Sequence, residues 1–123
     1  MAVPRITKED LKARLEGDPA TLPVILDARL KYPYEHSTLT LPGAVRVNPD
    51  ALDTSGLSTD RDVVAYDSDL EELVSARVAA ALIRQGYRAT ALKGGLPEWV
   101  TAKFPTDSKA APMQAPPKAG ELK

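Results

Sequence analysis

The chain has 123 residues, enough for one domain with an ordinary apolar core and no need of disulfides or metal. Its 16 Lys and Arg nearly balance 17 Asp and Glu, so composition supplies no basic stripe for nucleic acid or an anionic membrane. Cysteine is absent and histidine occurs once, which excludes disulfides, thiolate metal sites, thiol redox chemistry and a histidine-rich metal centre within one chain. No apolar run approaches the ~18 residues of a membrane span, and Met1-Ala2-Val3-Pro4-Arg5 lacks the apolar core of a secretory signal. A soluble, cytoplasmic monomer without cofactor, nucleic-acid partner or membrane insertion is expected.

In chain order, Thr7 with Asp10 three residues on reads as a helix N-cap with an acidic first turn. Leu11 and Leu15 then mark one face of a short helix ending near Gly17. Val24-Ile25-Leu26-Asp27 is a continuous apolar run ending in charge, as in a strand covered on both faces. Tyr32-Pro33-Tyr34-Glu35-His36 reads as a polar loop, and the lone His36 as a loop residue. A short strand over Ala44–Asn48 follows the turn pair Pro42-Gly43 and closes at Pro49.

The next strand, Asp62 to Tyr66, runs into the acidic segment Asp67-Ser68-Asp69-Leu70-Glu71-Glu72. From about Leu70 to Gln85 good helix formers dominate, with Gly86 placed to end the helix. Tyr87–Leu92 reads as a further strand, and Gly94-Gly95 as a turn before a short helix carrying Trp99, whose ring is expected in the core. Beyond Thr106 Ala, Pro and Lys dominate without apolar periodicity, so 106–123 is expected to be a flexible tail and 1–105 the domain. Strands alternating with helices imply an α/β fold with a mainly parallel sheet and helices on both faces.

Taken in order, Val24-Ile25-Leu26-Asp27-Ala28-Arg29, Leu41-Pro42-Gly43-Ala44, Val63-Val64-Ala65-Tyr66 with its turn, Gln85-Gly86-Tyr87 and Gly94-Gly95-Leu96-Pro97-Glu98-Trp99 resemble the single-domain rhodanese, or sulfurtransferase, family. The resemblance spans roughly residues 5–105 and implies a five-stranded parallel sheet flanked by helices, with an active loop after the fourth strand. It further implies that active members open this loop with the cysteine that carries sulfur as a persulfide. Here that position is Asp67. Against a variant loop with two cysteines one residue apart, the second position becomes Asp69.

A carboxylate cannot accept a sulfane sulfur and release it by attack at an S–S bond, so the resemblance implies a catalytically inactive homologue acting as a protein-binding or regulatory module. A helix N-terminus would favour the Asp67 charge by roughly 0.3–1 kcal/mol without restoring that chemistry. The expected pocket is formed by Asp67, Ser68, Asp69, Leu70, Glu71 and Glu72, with His36 and Arg29 on bordering segments. Asp27 and Arg29 fall on a D-x-R motif and are expected to form a charge-assisted pair. Arg77 stands close enough to the turn to pair with Asp69 or Glu72.

Three alternatives remain open. The four acidic residues could hold a hard divalent cation, although the spacing lacks the glycine and terminal glutamate of a known calcium loop. Asp67-Ser68-Asp69 also resembles the opening of haloacid-dehalogenase-type phosphatases, in which one aspartate attacks phosphorus and a second handles a proton. That family wants a small hydroxyl or β-branched residue where Glu71 stands. The loop could instead retain anion binding alone. The simplest reading is local: Ser68 or Asp69 caps the helix, and Glu71 and Glu72 enrich its first turn.

Overall fold

A computed structural model describes residues 3–69 and 71–109. Strands β1 (Arg5–Ile6), β2 (Val24–Asp27), β4 (Val45–Arg46), β5 (Asp62–Tyr66) and β6 (Arg88–Leu92) form one sheet in the order β1-β6-β5-β2-β4, with every pairing parallel. Helices α1 (Lys8–Leu15), α2 (Lys31–Glu35), α3 (Leu73–Arg84) and α4 (Gly95–Thr101) accompany it, and a two-residue strand β3 (Leu39–Thr40) pairs antiparallel with β7 (Asp107–Ser108). This is the α/β architecture expected of the sequence.

Side chains alternate across a strand, so each central strand feeds two cores. Val64 and Tyr66 of β5 and Ile25 of β2 join Leu11 of α1 and Leu96 and Trp99 of α4 on one face. Val63 and Ala65 of β5 and Leu26 of β2 meet Val78, Ala79 and Leu82 of α3 on the other. Helices thus cover both faces. Trp99 is fully buried, donates its indole N–H to the Pro105 carbonyl at 2.7 Å and meets Phe104 edge-on, which is the core role expected of it.

Helix α1 starts where the sequence places it, with the Thr7 hydroxyl accepting the Asp10 N–H at 3.1 Å. Gly86, at φ +96°, follows the end of α3 and supplies the left-handed turn that an L side chain disfavours. The fifth strand, β1, is two residues long and was legible only through the family resemblance.

Several elements differ from expectation, among them the strand expected over Ala44–Asn48, which is confined to Val45–Arg46, and the unexpected strand β3. The segment expected as a loop at 32–36 contains helix α2, which tolerates Pro33 because N–H groups in a first helical turn need no partner within the helix. Helix α3 begins at Leu73, three residues later than the composition suggested. Residues 106–109, assigned by composition to the tail, include β7: Lys109 donates its N–H to the Thr38 carbonyl at 2.9 Å, and Asp107 accepts the Gly43 N–H at 3.0 Å. These are backbone-directed bonds, which leave no trace in apolar periodicity. The remainder of the expected tail, and Leu70 of the expected pocket, lie outside the described residues.

Candidate functional site

The chain leaves the sheet at the C-terminal end of β5, where the next residue is Asp67. Its side chain is 1 % exposed, and both carboxylate oxygens accept backbone N–H groups. Oδ1 takes the Asp69 N–H at 2.8 Å and Oδ2 the Ser75 N–H at 2.6 Å. Ser75 lies in the first turn of α3, so a carboxylate from before the helix supplies the acceptor that an ordinary capping residue would provide. Burial pushes the Asp67 carboxyl above the usual carboxylate range, the Ser75 and Asp69 N–H groups oppose that shift, and the Asp69 charge adds to it.

This arrangement corrects the expected cap. Neither Ser68 nor Asp69 caps α3: Asp69 Oδ1 accepts the Glu71 N–H at 2.8 Å and its carbonyl accepts the Glu72 N–H at 3.1 Å, folding the acidic segment into tight turns. Glu71 and Glu72 precede the helix. Glu72 sits at φ +56°, a left-handed conformation uncommon for a glutamate, and its side chain is tied down at both oxygens. Oε1 receives Arg5 Nε at 2.7 Å and Oε2 receives the Gly94 N–H at 2.9 Å.

The four acidic side chains therefore divide. Asp67, Asp69 and Glu71 line a cleft of about 550 Å³ together with Ser68, Leu30 and Val74, whereas Glu72 turns away to join β1 and the Gly94 turn. Arg77 does not pair with Asp69 or Glu72: it reaches Asp50 at 3.3 Å, and Arg5 has taken its expected place at Glu72. Among the described residues, no ion pair compensates Asp67, Asp69 or Glu71.

The floor of the loop is held by a second glycine turn. The Asp67 carbonyl accepts the Leu96 N–H at 2.9 Å, and Gly95 stands against it at φ +62°. A β-carbon on Gly95 would lie 2.6 Å from the Asp67 carbonyl oxygen and 3.0 Å from that of Asp69. Gly95 is thus needed for close backbone approach, and the acidic loop and the start of α4 are fitted to one another.

Arg29 and His36 stand outside the cleft lining. Arg29 is 1 % exposed and forms the expected pair with Asp27, Nε to Oδ1 at 2.9 Å and Nη2 to Oδ2 at 2.6 Å. Its guanidinium also donates to the Leu39 carbonyl and lies between the rings of Tyr34 and Tyr66. This pair braces the ends of β2 and β5 beneath α2. His36 is an exposed residue at the end of α2, near the Tyr32 ring. The bordering segment reaches the cleft through Leu30 instead, which sequence reasoning passed over, as it did Val74. A residue flanking the D-x-R motif on its loop side was the available signal for Leu30.

Chemically, the loop presents carboxylates and no polarisable nucleophile. Both Asp67 oxygens already accept an N–H and the side chain is enclosed, which gives no support to attack on phosphorus. Among the described residues no three His, Cys, Asp or Glu side chains gather into a metal-holding group.

A sequence family described as the rhodanese-like domain matches residues 7–102. The chain belongs to the rhodanese-like family. Among solved structures it is similar to a protein from Anabaena sp., with 30 % identity, a TM-score of 0.69, and coverage of 83 % of this chain and 79 % of that one. A full-length Lactobacillus plantarum protein gives 21 % identity and a TM-score of 0.76, covering 85 % of this chain and 88 % of that one. A Rhodopseudomonas palustris protein of unknown function, described as a possible tyrosine phosphatase, gives 20 % identity and a TM-score of 0.70 over 85 % of both chains. No curated protein matches.

Proposed function

We propose that this rhodanese-like domain has lost sulfur transfer and serves as a cytoplasmic, monomeric protein-binding module, with Asp67 standing where sulfurtransferases carry their cysteine. The observation that carries the reading is the use made of Asp67. In a sulfur carrier the residue at this position takes up sulfur on a thiolate as a persulfide. Here a carboxylate stands there instead, with its two oxygens accepting the N–H groups of Asp69 in the loop and Ser75 in the first turn of α3. The absence of cysteine from the whole chain removes any substitute thiol. The acidic lining also disfavours an anionic sulfur donor by like-charge repulsion.

What such a domain keeps is a braced cleft at the sheet's C-terminal end, where α/β proteins usually place their ligand sites. No helix among the described residues is long and apolar enough to cross a membrane. The decisive assay incubates the protein with thiosulfate and cyanide. Thiocyanate is expected at the rate of the protein-free control, and formation above that rate overturns the loss of activity. A parallel assay with magnesium and p-nitrophenyl phosphate is expected to stay flat, and turnover there would reinstate the aspartate-based hydrolase.

A further inference from the structure

Two features coincide at the Asp67 cleft. The first is exposed apolar surface. Leu30 and Val74 wall the cleft, and Leu30 is 43 % exposed. Leu73, next to Val74 at the first position of α3, is 65 % exposed, and Tyr32, two residues from Leu30, is 69 % exposed. Large apolar side chains left in water beside a concavity mark an interaction surface more often than isolated ones do.

The second is charge without a counter-charge. Of the cations near this end of the molecule, Arg5 pairs with Glu72, Arg29 with Asp27 and Arg77 with Asp50, and Lys31, beside Leu30, lies against the Tyr32 ring. Asp69 and Glu71 therefore face the cleft with no ion pair among the described residues, and Asp67 lies beneath them. An anionic or neutral apolar partner would have to desolvate these carboxylates without compensation, whereas a cationic one supplies it.

Resting on the reading of the domain as a binding module, we infer that this cleft docks a basic peptide segment of a partner protein, seating an aliphatic side chain between Leu30 and Val74 with Lys or Arg beside it against Asp69 and Glu71. Apolar contact supplies the affinity and the carboxylates select the partner and its register. Nucleic acid and acidic proteins are rejected by the same carboxylates.

The test selects binders to the full-length protein from a random peptide library and measures the affinity of an enriched peptide by fluorescence anisotropy. Enriched sequences are expected to pair Leu, Ile, Val or Met with adjacent Lys or Arg. The double variant Asp69→Asn with Glu71→Gln keeps the Asp69 side-chain oxygen that accepts the Glu71 N–H. It should weaken binding about tenfold or more, with a flatter salt dependence. Leu30→Ser should weaken it as well, while Glu98→Gln, which lines a different cleft, should leave it unchanged. Neutral or acidic enriched sequences, affinity untouched by the double variant, or no enrichment over bait-free selection would each overturn the inference. These results would leave the module reading standing, because that reading falls on thiocyanate formation, which the peptide experiment does not measure.

Discussion

Strand β5 carries an aspartate at each end, and the two are stabilised in opposite ways. Asp62, at the N-terminal end, is partly exposed and lies between two cations, Arg88 at 2.6 Å and Arg14 at 2.9 Å. Asp67, just past the C-terminal end, is enclosed and has no cation among the described residues, only two backbone N–H groups. The Arg88 hydrogen bond, with help from Arg14, holds the Asp62 carboxyl below its ordinary range against the effect of burial, whereas burial pushes Asp67 above it. Charge pairing at the lower end serves the sheet. Charge held without a counter-charge at the upper end serves a loop that faces a cleft, and uncompensated charge of that kind is where ligand sites are commonly found.

Asp67 should therefore be the costlier residue to lose. Asp67→Ala leaves the Ser75 and Asp69 N–H groups without their acceptor, one of them deeply buried, and each such group costs about 1–3 kcal/mol. Removal of a buried charge offsets part of this, so a net loss of about 3 kcal/mol is expected in urea unfolding. A loss below about 1 kcal/mol would mean that the loop does not depend on these two bonds. The pH signature is specific. Because the folded carboxyl holds its proton more tightly than the unfolded one, its contribution is greatest in acid and falls as pH rises from the ordinary aspartate value through the raised one. The deficit of the alanine variant should accordingly widen in acid.

Gly95→Ala attacks the same loop from the other side. The added methyl would meet two backbone carbonyls, and alanine is strained at φ +62°, so a loss of about 2 kcal/mol is expected from the same unfolding measurement. Chemical shifts of the Asp67–Glu72 amides should move with it, while those around Asp62 should not. Uniform shifts throughout the domain would show that the two ends of β5 are not separable.

The difference between the two ends also governs what could be read in the sequence. The apolar runs of β2 and β5, the helix-rich stretch of α3 and the Thr7 cap are local signals, and each fell where it was expected, with α3 shortened at its start. The Asp27–Arg29 pair was equally legible, since the partners are two residues apart. The architecture of the acidic loop was not. Asp67 reaches a helix N–H eight residues on, Glu72 reaches Arg5 across the sheet's edge, and neither partner is marked by spacing. Strand β7 was hidden for the related reason that its exposed side chains bury nothing and its pairing is made by backbone groups.

Asp62→Ala is the mildest of these tests. Its bridges to Arg88 and Arg14 are screened by solvent, with the Asp62 side chain 38 % exposed, and both arginines hold other partners: Arg88 donates to the Thr59 and Asp60 carbonyls, and Arg14 to that of Thr21. A loss of about 1 kcal/mol or less is expected at neutral pH and low salt, shrinking as salt is added. A carboxyl with a lowered folded value stabilises the protein above its ordinary value, and the contribution disappears as pH falls through the lowered one. The gap between wild type and Asp62→Ala should narrow as pH falls from neutral through the ordinary aspartate value toward the lowered one, while the gap for Asp67→Ala opens over the acid limb. If both gaps close together, Asp67 is stabilised as a charge after all, and the contrast between a paired aspartate and an enclosed one fails at the residue on which the cleft depends.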